Sequence, residues 1–263
     1  MKLTQNIQII NAISKAGRAI LDIYESDDFG VETKSDASPL TKADQLANEI
    51  LVETLEQFNI PILSEEGKDI DYSLRKDWKE FWLVDPLDGT KEFIKKNGEF
   101  TVNVAKIIRG KAWLGFVYAP VLGDFYLGIN QQMAFKFKLK AGEQIKELPA
   151  TAKVIKVQKP KESLVIVASR SHFNAETEVF VNELKKKYKK IDFISKGSSL
   201  KLVEVAEGSA HIYPRFGPTM EWDTAAAHAV VVAAGGKVET PDNKPLLYNK
   251  ENLLNPYFVV MAR

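Results

Sequence analysis

Leucine and isoleucine recur at helical spacing near the N-terminus of the chain. This spacing predicts an amphipathic helix over residues 3–24 and a second helix over residues 41–58. In the second helix we expect Leu46, Ile50 and Leu55 on the buried side. The stretch between the two helices is polar and rich in turn-forming residues, and we predict a loop there.

Beyond residue 60 the apolar positions form short runs that are typical of strands. Strands are predicted at "ILS" and "FWLVD", then a hairpin of "FTVNVAKII" and "AWLGFVYAP", then "DFYLGIN" and "AFKFKLK". After residue 162 the strand-like runs "LVIVAS", "IDFIS" and "AHIYPRF" alternate with helical patterns. An alanine-rich helix follows, which Gly235 and Gly236 are expected to end, and "YFVVMA" is the last predicted strand.

This order of elements predicts the fold class. Helices followed by a meander indicate an α+β fold in the first half, and alternating strands and helices indicate α/β layering in the second. Residues 140–162 are rich in lysine and polar residues and contain Pro149 and Pro160. We place a domain boundary there, which predicts an N-terminal α+β domain at 1–150 and a C-terminal α/β domain at 151–263.

Composition and charge narrow the class of protein. The chain has 263 residues, 45% hydrophobic and 27% charged, which is typical of a globular protein. The net charge of +1 provides no global basic field, so we expect no nucleic-acid partner. No apolar run reaches about 18 residues, which predicts no membrane span. The N-terminal residues lack the hydrophobic region of a signal peptide and the chain has no cysteine, so we expect a cytoplasmic protein.

The stretch "LVDPLDGT" places two aspartates at the end of a predicted strand. Pro86 keeps Asp85 extended and Gly89 lets the chain turn, so the carboxylates of Asp85 and Asp88 can converge. Two adjacent carboxylates repel each other unless a cation lies between them. Oxygen ligands without cysteine indicate Mg²⁺ rather than zinc, and the carbonyl of Leu87 is a candidate further ligand.

The residues after these aspartates suit an anion. Thr90 can cap the next helix, and the amides of Gly89 and Thr90 are a candidate anion site. The competing interpretation is a tight acidic turn in which Asp88 or Thr90 only caps a helix.

Three further acidic positions each have a structural alternative. Glu65 ends the run "ILSEE", where a solvated strand end is the alternative. Asp223 starts the alanine-rich helix, where a plain N-cap is the alternative. Thr41 and Asp44 have the spacing of a capping box. Because these acids lie at strand ends and helix starts, where α/β folds place their sites, a shared site is favoured.

Three of these stretches resemble the motifs of a known family. "ILSEE", "WLVDPLDGTKEFI" and "EWDTAAAHAVVVAAGG" look like the motifs of the inositol monophosphatase superfamily of Mg²⁺-dependent, lithium-sensitive phosphatases, and the resemblance runs essentially end to end. "KSDASPLTKAD", "GTKEFIKKNGEFTVNVA", "ASRSH", "GSSLK" and "YPRFGPTMEWDTAA" resemble the bacterial 3'(2'),5'-bisphosphate nucleotidase branch of that superfamily. The resemblance implies a sugar-phosphatase-type fold, a layered αβαβα sandwich.

The resemblance also implies roles for the acidic residues. The ligands of two or three Mg²⁺ ions would be Glu65, Asp85, the Leu87 carbonyl, Asp88 and Asp223. The resemblance further implies that Gly89 and Thr90 bind the scissile phosphate through their amides. It implies that Thr90 and Asp44 orient and deprotonate the attacking water, and that Glu65 has a catalytic role beside its ligand role.

For substrate specificity the resemblance implies contacts from His172, Ser198, Lys201 and Arg215. The alternatives are a solvated helix lysine for Lys201 and a loop-capping histidine for His172. Ser198 and Lys201 are expected on one helix face near the start of that helix.

Other residues near the predicted site have weaker assignments. A loop with Lys34, Asp36 and Ser38 resembles the mobile loop that closes over the metals. Tyr213 or Phe216 is a candidate for stacking on adenine, although an aromatic residue in a strand is usually part of the core. We interpret His228, in the alanine-rich helix, as structural.

The expected activity follows from the branch. It is hydrolysis of adenosine 3',5'-bisphosphate to AMP and phosphate, linked to the metabolism of sulfur. The alternatives are a phosphatase acting on inositol phosphate or another sugar phosphate, and, more remotely, a non-catalytic cation-binding protein. Some members of the branch associate with the cytoplasmic face of the inner membrane, so the resemblance implies a protein that is soluble or peripheral there.

Overall fold

A computed structural model describes residues 3–26, 30, 32–33, 39–67, 69–168 and 174–262 of the chain. Helices in this part of the chain are α1 (Leu3–Tyr24), α2 (Lys42–Glu56), α3 (Tyr72–Arg75), α4 (Thr90–Ile94), α5 (Ala175–Lys185), α6 (Leu200–Ala206) and α7 (Glu221–Ala233). The strands of the first half are β1 (Glu32–Thr33), β2 (Pro39–Leu40), β3 (Ile62–Ser64), β4 (Glu80–Asp88), β5 (Thr101–Ile108), β6 (Lys111–Ala119), β7 (Asp124–Ile129), β8 (Met133–Lys138) and β9 (Lys153–Ile155). Those of the second half are β10 (Ser163–Ala168), β11 (Lys190–Ser195), β12 (Ile212–Arg215), β13 (Gly236–Glu239) and β14 (Phe258–Ala262).

The two N-terminal helices form where the apolar spacing predicts them. The prediction for one side chain of α2 is wrong, because Leu46 is 43% exposed while Leu55 is fully buried. The buried face of α2 is a stripe of residues four positions apart, which lets α1 pack closely against its two alanines. This stripe consists of Ala43, Ala47, Leu51 and Leu55.

A seven-stranded sheet, in the order β3-β4-β5-β6-β7-β8-β9, forms the first layer of strands. Its strands pair antiparallel except for β3 and β4, which are parallel. Alternate residues of β4 face opposite sides, as the period of two requires. Trp82 and Val84 pack in the cluster with α1 and α2, while Phe81 and Leu83 pack in the cluster with α6 and α7.

A five-stranded sheet, in the order β11-β10-β12-β14-β13, forms the second layer of strands. The helices α6 and α7 lie between the two sheets, and their core cluster takes Tyr213 and Val260 from the second sheet. The outer face of this sheet packs against α5 through Val181. The layers therefore follow the order αβαβα, which confirms the predicted mixed α+β and α/β sandwich.

Several short elements were not predicted from the sequence. The strand β9 lies inside the lysine-rich stretch, and β13 has only four residues, the first of which is Gly236, so neither presents a clear apolar pattern. The first sheet takes strands up to Ile155 and the second begins at Ser163, so the change of sheet falls inside the polar stretch 140–162. The division into domains 1–150 and 151–263 stays a prediction.

The helix α7 lies directly on the first sheet because glycine occupies the strand positions beneath it. A Cβ atom added at Gly128 of β7 would lie 2.6 Å from the Cα of Val230 and 2.7 Å from the carbonyl oxygen of Ala229. Both atoms belong to the α7 backbone, which cannot move without shifting the whole helix. This close approach fixes how deeply α7 lies on the sheet.

We expect Gly128→Ala to destabilise the fold. Overpacking of a close interior contact costs about 1–3 kcal/mol, so the free energy of unfolding in urea should fall by that amount. Gly217→Ala is the matched control, because its added Cβ would have no neighbour nearer than 3.8 Å. Equal stability of the two variants would contradict the close-packing argument.

Candidate active site

The strand β4 carries a β-bulge between its two aspartates. Asp85 pairs with Asn103 of β5 and Asp88 pairs with Thr101, so three steps along β4 match two along β5. Residues three apart on a regular strand face opposite sides of the sheet, but the extra residue of the bulge brings them to the same side. Asp85 and Asp88 therefore lie on the same face of the sheet, the face toward α6 and α7. The bulge lies at Pro86, which lacks the amide hydrogen that a regular ladder would use.

Three carboxylates from different elements converge at this end of β4. Oxygen atoms of Glu65, Asp85 and Asp223 all lie within 4.8 Å of one another. Glu65 follows β3 and donates its amide hydrogen to the Val84 carbonyl at 3.1 Å. Asp223 is the third residue of α7, and its Oδ2 accepts the amide hydrogen of Met220 at 2.8 Å. It is therefore not the plain N-cap that the alternative assumed, since Met220 has that position.

The carboxylate cluster is electrostatically unfavourable without a cation. Asp85 is only 1% exposed, and burial raises its pKa well above the usual range, with further increases from the charges of Glu65, Asp88 and Asp223. Burial, and next the charge of Asp88, raise the pKa of Asp223 well above its usual range as well. A bound cation removes this cost by favouring the ionised carboxylates.

The donor atoms fit a metal ion. Oδ1 of Asp85 accepts the amide hydrogen of Leu87 at 3.1 Å, whereas its buried Oδ2 has no hydrogen-bond partner among the described residues. A buried carboxylate oxygen in this state is the kind of atom that a cation completes. Because the cluster offers only carboxylate oxygens, it suits a hard cation.

Asp88 lies beside the cluster and contacts the second half of the chain. Its Oδ2 accepts hydrogen bonds from the Ser198 hydroxyl and from the Ser199 amide, both at 2.6 Å. Burial raises the pKa of Asp88, while these two bonds and the charge of Lys201 oppose the increase. The structure thus brings Asp88 close enough to influence Asp85 and Asp223 and ties it to the start of α6.

The first turn of α7 is anchored from behind. Glu221 is fully buried, and its carboxylate accepts the amide hydrogens of Asn249 at 2.7 Å and Lys250 at 2.9 Å. The guanidinium of Arg75, in turn, donates to the Lys250 carbonyl at 2.7 Å. Since Asp223 is two residues beyond Glu221, this clamp fixes where its carboxylate lies.

Asp44 and Thr90 make structural contacts, and their predicted water-activating role stays a prediction. Oδ2 of Asp44 accepts from the amide of Thr41 at 2.8 Å and from its hydroxyl at 2.6 Å, so the predicted capping box is present. The Thr90 hydroxyl donates to the Leu87 carbonyl at 3.4 Å. Gly89 is the N-cap of α4 with φ of 95°, a left-handed conformation that favours glycine.

A cleft of about 410 Å³ adjoins the carboxylates, and its lining includes Asp88 and Asp223. Lys201 is almost fully buried, and its Nζ donates to the Ser198 carbonyl at 2.7 Å. Burial lowers the pKa of Lys201 to about 8, against the opposing effect of Asp88. Arg215 donates from Nη2 to the Pro218 carbonyl at 2.7 Å, and its buried Nε has no partner among the described residues.

The aromatic candidates separate in the structure. Tyr213 lines the cleft, lies 5.9 Å beneath the Lys201 ammonium, and has a pKa that burial raises to about 12. Phe216 packs in the outer cluster against Phe180 under α5, away from that lining. Ser198 precedes α6 in a left-handed conformation with φ of 52°, so the expectation that it lies on the helix with Lys201 is wrong.

Some predicted residues fall elsewhere. His172 and the loop residues Lys34, Asp36 and Ser38 lie outside the described residues. His228 is buried, which lowers its pKa to about 4, and its Nδ1 lies 2.7 Å from the Tyr248 hydroxyl, in keeping with a structural residue. The cleft lining also includes residues that the sequence analysis did not name, Lys91, Glu92, Lys95, Leu202, Thr219, Thr224 and Phe258. Lys91 and Lys95 follow "DGT" and are four residues apart, so they share one helix face, and this spacing is the signal that could have indicated them.

Comparisons with known proteins identify the family and the fold. The chain matches the Inositol monophosphatase family over residues 3–257. It is 44% identical to the 3'(2'),5'-bisphosphate nucleotidase CysQ of Shigella flexneri and 43% identical to that of Escherichia coli strain K12, in each case over 96% of this chain and 98% of the relative. The crystal structure of CysQ from Bacteroides thetaiotaomicron is 45% identical with a TM-score of 0.89, covering 98% of this chain and 97% of that one. The suhB protein of Bartonella henselae shares the fold at 22% identity, with a TM-score of 0.75 over 98% of this chain and 93% of that one.

Fold and site together define the class of this protein, a phosphatase with an acidic cluster that can bind metal. The chain belongs to the inositol monophosphatase family. Among the described residues, none of the helices has the length and apolar character of a membrane span.

We expect Asp85→Asn to stabilise the metal-free protein. Removing a buried charge among like charges should raise the free energy of unfolding in EDTA near pH 7 by roughly 1–3 kcal/mol, since one pKa unit is worth about 1.4 kcal/mol. The pKa of Asp85 is raised in the folded wild type, so its carboxylate takes up a proton at a pH above the usual pKa of 3.8. The stability advantage of Asp85→Asn therefore shrinks as pH falls toward 3.8.

Mg²⁺ should reverse the order of these two proteins. At about 1,000 times its dissociation constant Mg²⁺ should stabilise the wild type by about 4.1 kcal/mol, which exceeds the advantage of the variant, and it should stabilise the variant far less. Exposed Asp77→Asn is the control and should behave as wild type in both buffers. A variant that is less stable than wild type in EDTA would contradict the repulsion described above.

Proposed function

We propose that this chain is a Mg²⁺-dependent 3'(2'),5'-bisphosphate nucleotidase that hydrolyses adenosine 3',5'-bisphosphate to AMP and phosphate. The observation that carries the proposal is a cleft that joins the acidic cluster to two cationic side chains, Lys201 and Arg215. A substrate with two phosphates needs both features, one for the bond that breaks and one for the phosphate that stays. The name of the curated relatives supports the same substrate class.

In this proposal the acidic cluster binds the metal. Two or three Mg²⁺ ions would be held by Glu65, Asp85, Asp88, Asp223 and the Leu87 carbonyl. Ions held there would supply positive charge to the phosphate oxygens and make water a better nucleophile.

The remaining groups of the site orient the reactants. The amides of Gly89 and Thr90, at the turn that follows β4, would bind the scissile phosphate. The Thr90 hydroxyl would orient the attacking water, and Asp44, held in place by Thr41, would accept its proton. Glu65 would serve both as ligand and as a catalytic carboxylate. No covalent enzyme intermediate is needed, because water attacks phosphorus directly.

The cationic side of the cleft would select the nucleotide. Lys201 and Arg215 would bind the second phosphate, with Ser198 and His172 as further contacts, and Tyr213 presents the aromatic surface nearest to Lys201. An inositol monophosphate has a neutral ring in place of the second phosphate and would leave these cations unpaired. We further propose a cytoplasmic enzyme, free or at the cytoplasmic face of the inner membrane, that removes the bisphosphate by-product of sulfate activation.

The test is phosphate release from adenosine 3',5'-bisphosphate, with inositol 1-phosphate and fructose 1,6-bisphosphate in parallel. We expect strong preference for the nucleotide, activity that requires Mg²⁺ and is lost in EDTA, and a loss of roughly 100-fold or more in Asp88→Asn. Preference for inositol 1-phosphate would keep the metal site and overturn the roles of Lys201 and Arg215. Absence of metal-dependent release from every substrate would overturn the proposal itself.

We expect Lys201→Met to raise the KM for adenosine 3',5'-bisphosphate by roughly 10- to 100-fold, since a charge-assisted hydrogen bond is lost. The kcat/KM of wild type should fall as pH rises above about 8, where Lys201 loses its charge, and this fall should be absent in the variant. Exposed Lys161→Met is the control and should keep the wild-type profile. An unchanged KM in Lys201→Met would show that another group binds the second phosphate.

A further inference from the structure

Two polar side chains of β5 lie deep in the apolar layer between the sheets. Thr101 is 0% exposed and Asn103 is 1% exposed, and the next residues on the same face of β5 are Ala105 and Ile107. Burying polar groups in such a setting is costly unless every one of them is bonded. The proposed chemistry assigns these two side chains no role.

Both side chains bond to the loop that precedes α6. Ser199 donates from its hydroxyl to Oδ1 of Asn103 at 2.9 Å, and Nδ2 of Asn103 donates to the Thr101 hydroxyl at 3.0 Å. The Thr101 hydroxyl oxygen also lies 2.6 Å from that of Ser198 and 2.8 Å from that of Ser199, and its one proton is donated to one of these two oxygens. We call this set of four residues, Thr101, Asn103, Ser198 and Ser199, the hydroxyl bridge. It joins β5 of the first sheet to the loop that precedes α6.

The far end of the hydroxyl bridge is Asp88. Its Oδ2 receives the Ser198 hydroxyl and the Ser199 amide, so the bridge determines how this carboxylate is turned. Ser198 takes a left-handed conformation that is unusual for a residue with a side chain, and the bonds of its hydroxyl hold it there. The orientation of a predicted metal ligand thus depends in part on Thr101 and Asn103, which have no contact with metal or substrate in the proposed chemistry.

The same loop sets the position of Lys201. The Ser198 carbonyl accepts the Lys201 ammonium at 2.7 Å, and the neighbouring Gly197 amide donates to Glu99 at 2.9 Å. An added Cβ at Gly197 would lie 2.7 Å from the Glu99 carbonyl oxygen, so the loop has no room to shift in that direction. The loop 196–199 therefore holds both the Asp88 carboxylate and the Lys201 ammonium by hydrogen bonds.

We propose that Thr101 and Asn103 are positioning residues that hold Asp88 and Lys201 in one fixed arrangement through the loop 196–199. They thereby couple recognition of the second phosphate to the acidic cluster. This inference rests on the proposed function for the identity of the substrate, and on geometry alone for the link to Asp88.

If Thr101 and Asn103 only stabilised the fold, their replacement would change stability and leave metal binding and kinetics unchanged. Replacing buried hydrogen-bonded groups by apolar ones of the same shape can be nearly neutral for stability, so a stabilising role alone does not require these polar side chains. Partners that hydrogen-bond to metal-ligating carboxylates typically change metal affinity or activity by about 10- to 100-fold when they are removed. The two roles are therefore separated by measuring binding and kinetics beside stability.

The experiment compares Thr101→Val, which keeps the shape, with Thr101→Ser, which keeps the hydroxyl. Ser14→Ala is the matched control, because Ser14 is also fully buried and its hydroxyl bonds to the Lys140 and Glu143 carbonyls, in the layer of α1. Mn²⁺ binding is measured directly by electron paramagnetic resonance, and kcat/KM is measured for adenosine 3',5'-bisphosphate and for phenyl phosphate, well below the melting temperature of each protein.

We expect Thr101→Val to weaken Mn²⁺ binding about 10-fold and to lower kcat/KM for the nucleotide by roughly 10- to 100-fold, with a smaller loss for phenyl phosphate, which carries no second phosphate. In Thr101→Ser and Ser14→Ala, the Mn²⁺ dissociation constant and kcat/KM should stay within about 3-fold of the wild-type values, well below the roughly 10-fold change expected for Thr101→Val. Mn²⁺ affinity and kcat/KM at wild-type values in Thr101→Val would overturn the inference, as would equal losses in Thr101→Ser.

The outcome for the substrate is separate. A wild type that prefers another phosphate ester refutes the proposed nucleotide specificity. The hydroxyl bridge is then judged by Mn²⁺ binding and by kcat/KM on that preferred ester, where an unchanged Thr101→Val protein overturns it.

Discussion

Repulsion among carboxylates at one buried point is the constraint that organises this protein. Glu65, Asp85 and Asp223 present oxygens within 4.8 Å of one another, and Asp88 adds a fourth charge beside them. Without a rigid framework and a cation, such carboxylates would move apart or stay protonated. Each is instead held by a rigid element: the end of β3, the bulge of β4, and the first turn of α7. The rest of the fold maintains this arrangement against its own electrostatics.

The layered architecture is what makes that possible. Gly128 beneath α7 lets the helix lie directly on the first sheet, and Glu221 anchors its first turn from the opposite side. Asp223 is therefore fixed in depth by packing and in direction by hydrogen bonds. Packing alone would leave the carboxylate free to rotate, and hydrogen bonds alone would not prevent the helix from sliding.

The two sheets contribute different chemistry to one cleft. The first supplies the carboxylates at the end of β4, whereas the second half of the chain supplies Lys201 and Arg215. The loop 196–199 links these groups, because it donates two short hydrogen bonds to Asp88 and its Ser198 carbonyl accepts a hydrogen bond from Lys201. The proposed site for a doubly phosphorylated substrate would thus be assembled across the boundary between layers.

The linear pattern determined most of the elements and the acidic motifs, because apolar periodicity and the sequence "DPLDGT" depend on neighbours along the chain. It predicted both ends of α1, the hairpin of β5 and β6, and a strand that ends in Asp85 and Asp88. It did not predict that Leu46 faces solvent, that Ser198 precedes α6 in a left-handed conformation, or that Thr101 and Asn103 meet that loop. The position of the Ser198 loop depends on contacts between residues about 100 positions apart, such as Thr101 with Ser198. Only the stacking of the two sheets, with α6 and α7 between them, decided such contacts, since no local propensity encodes which distant loop will reach a buried strand.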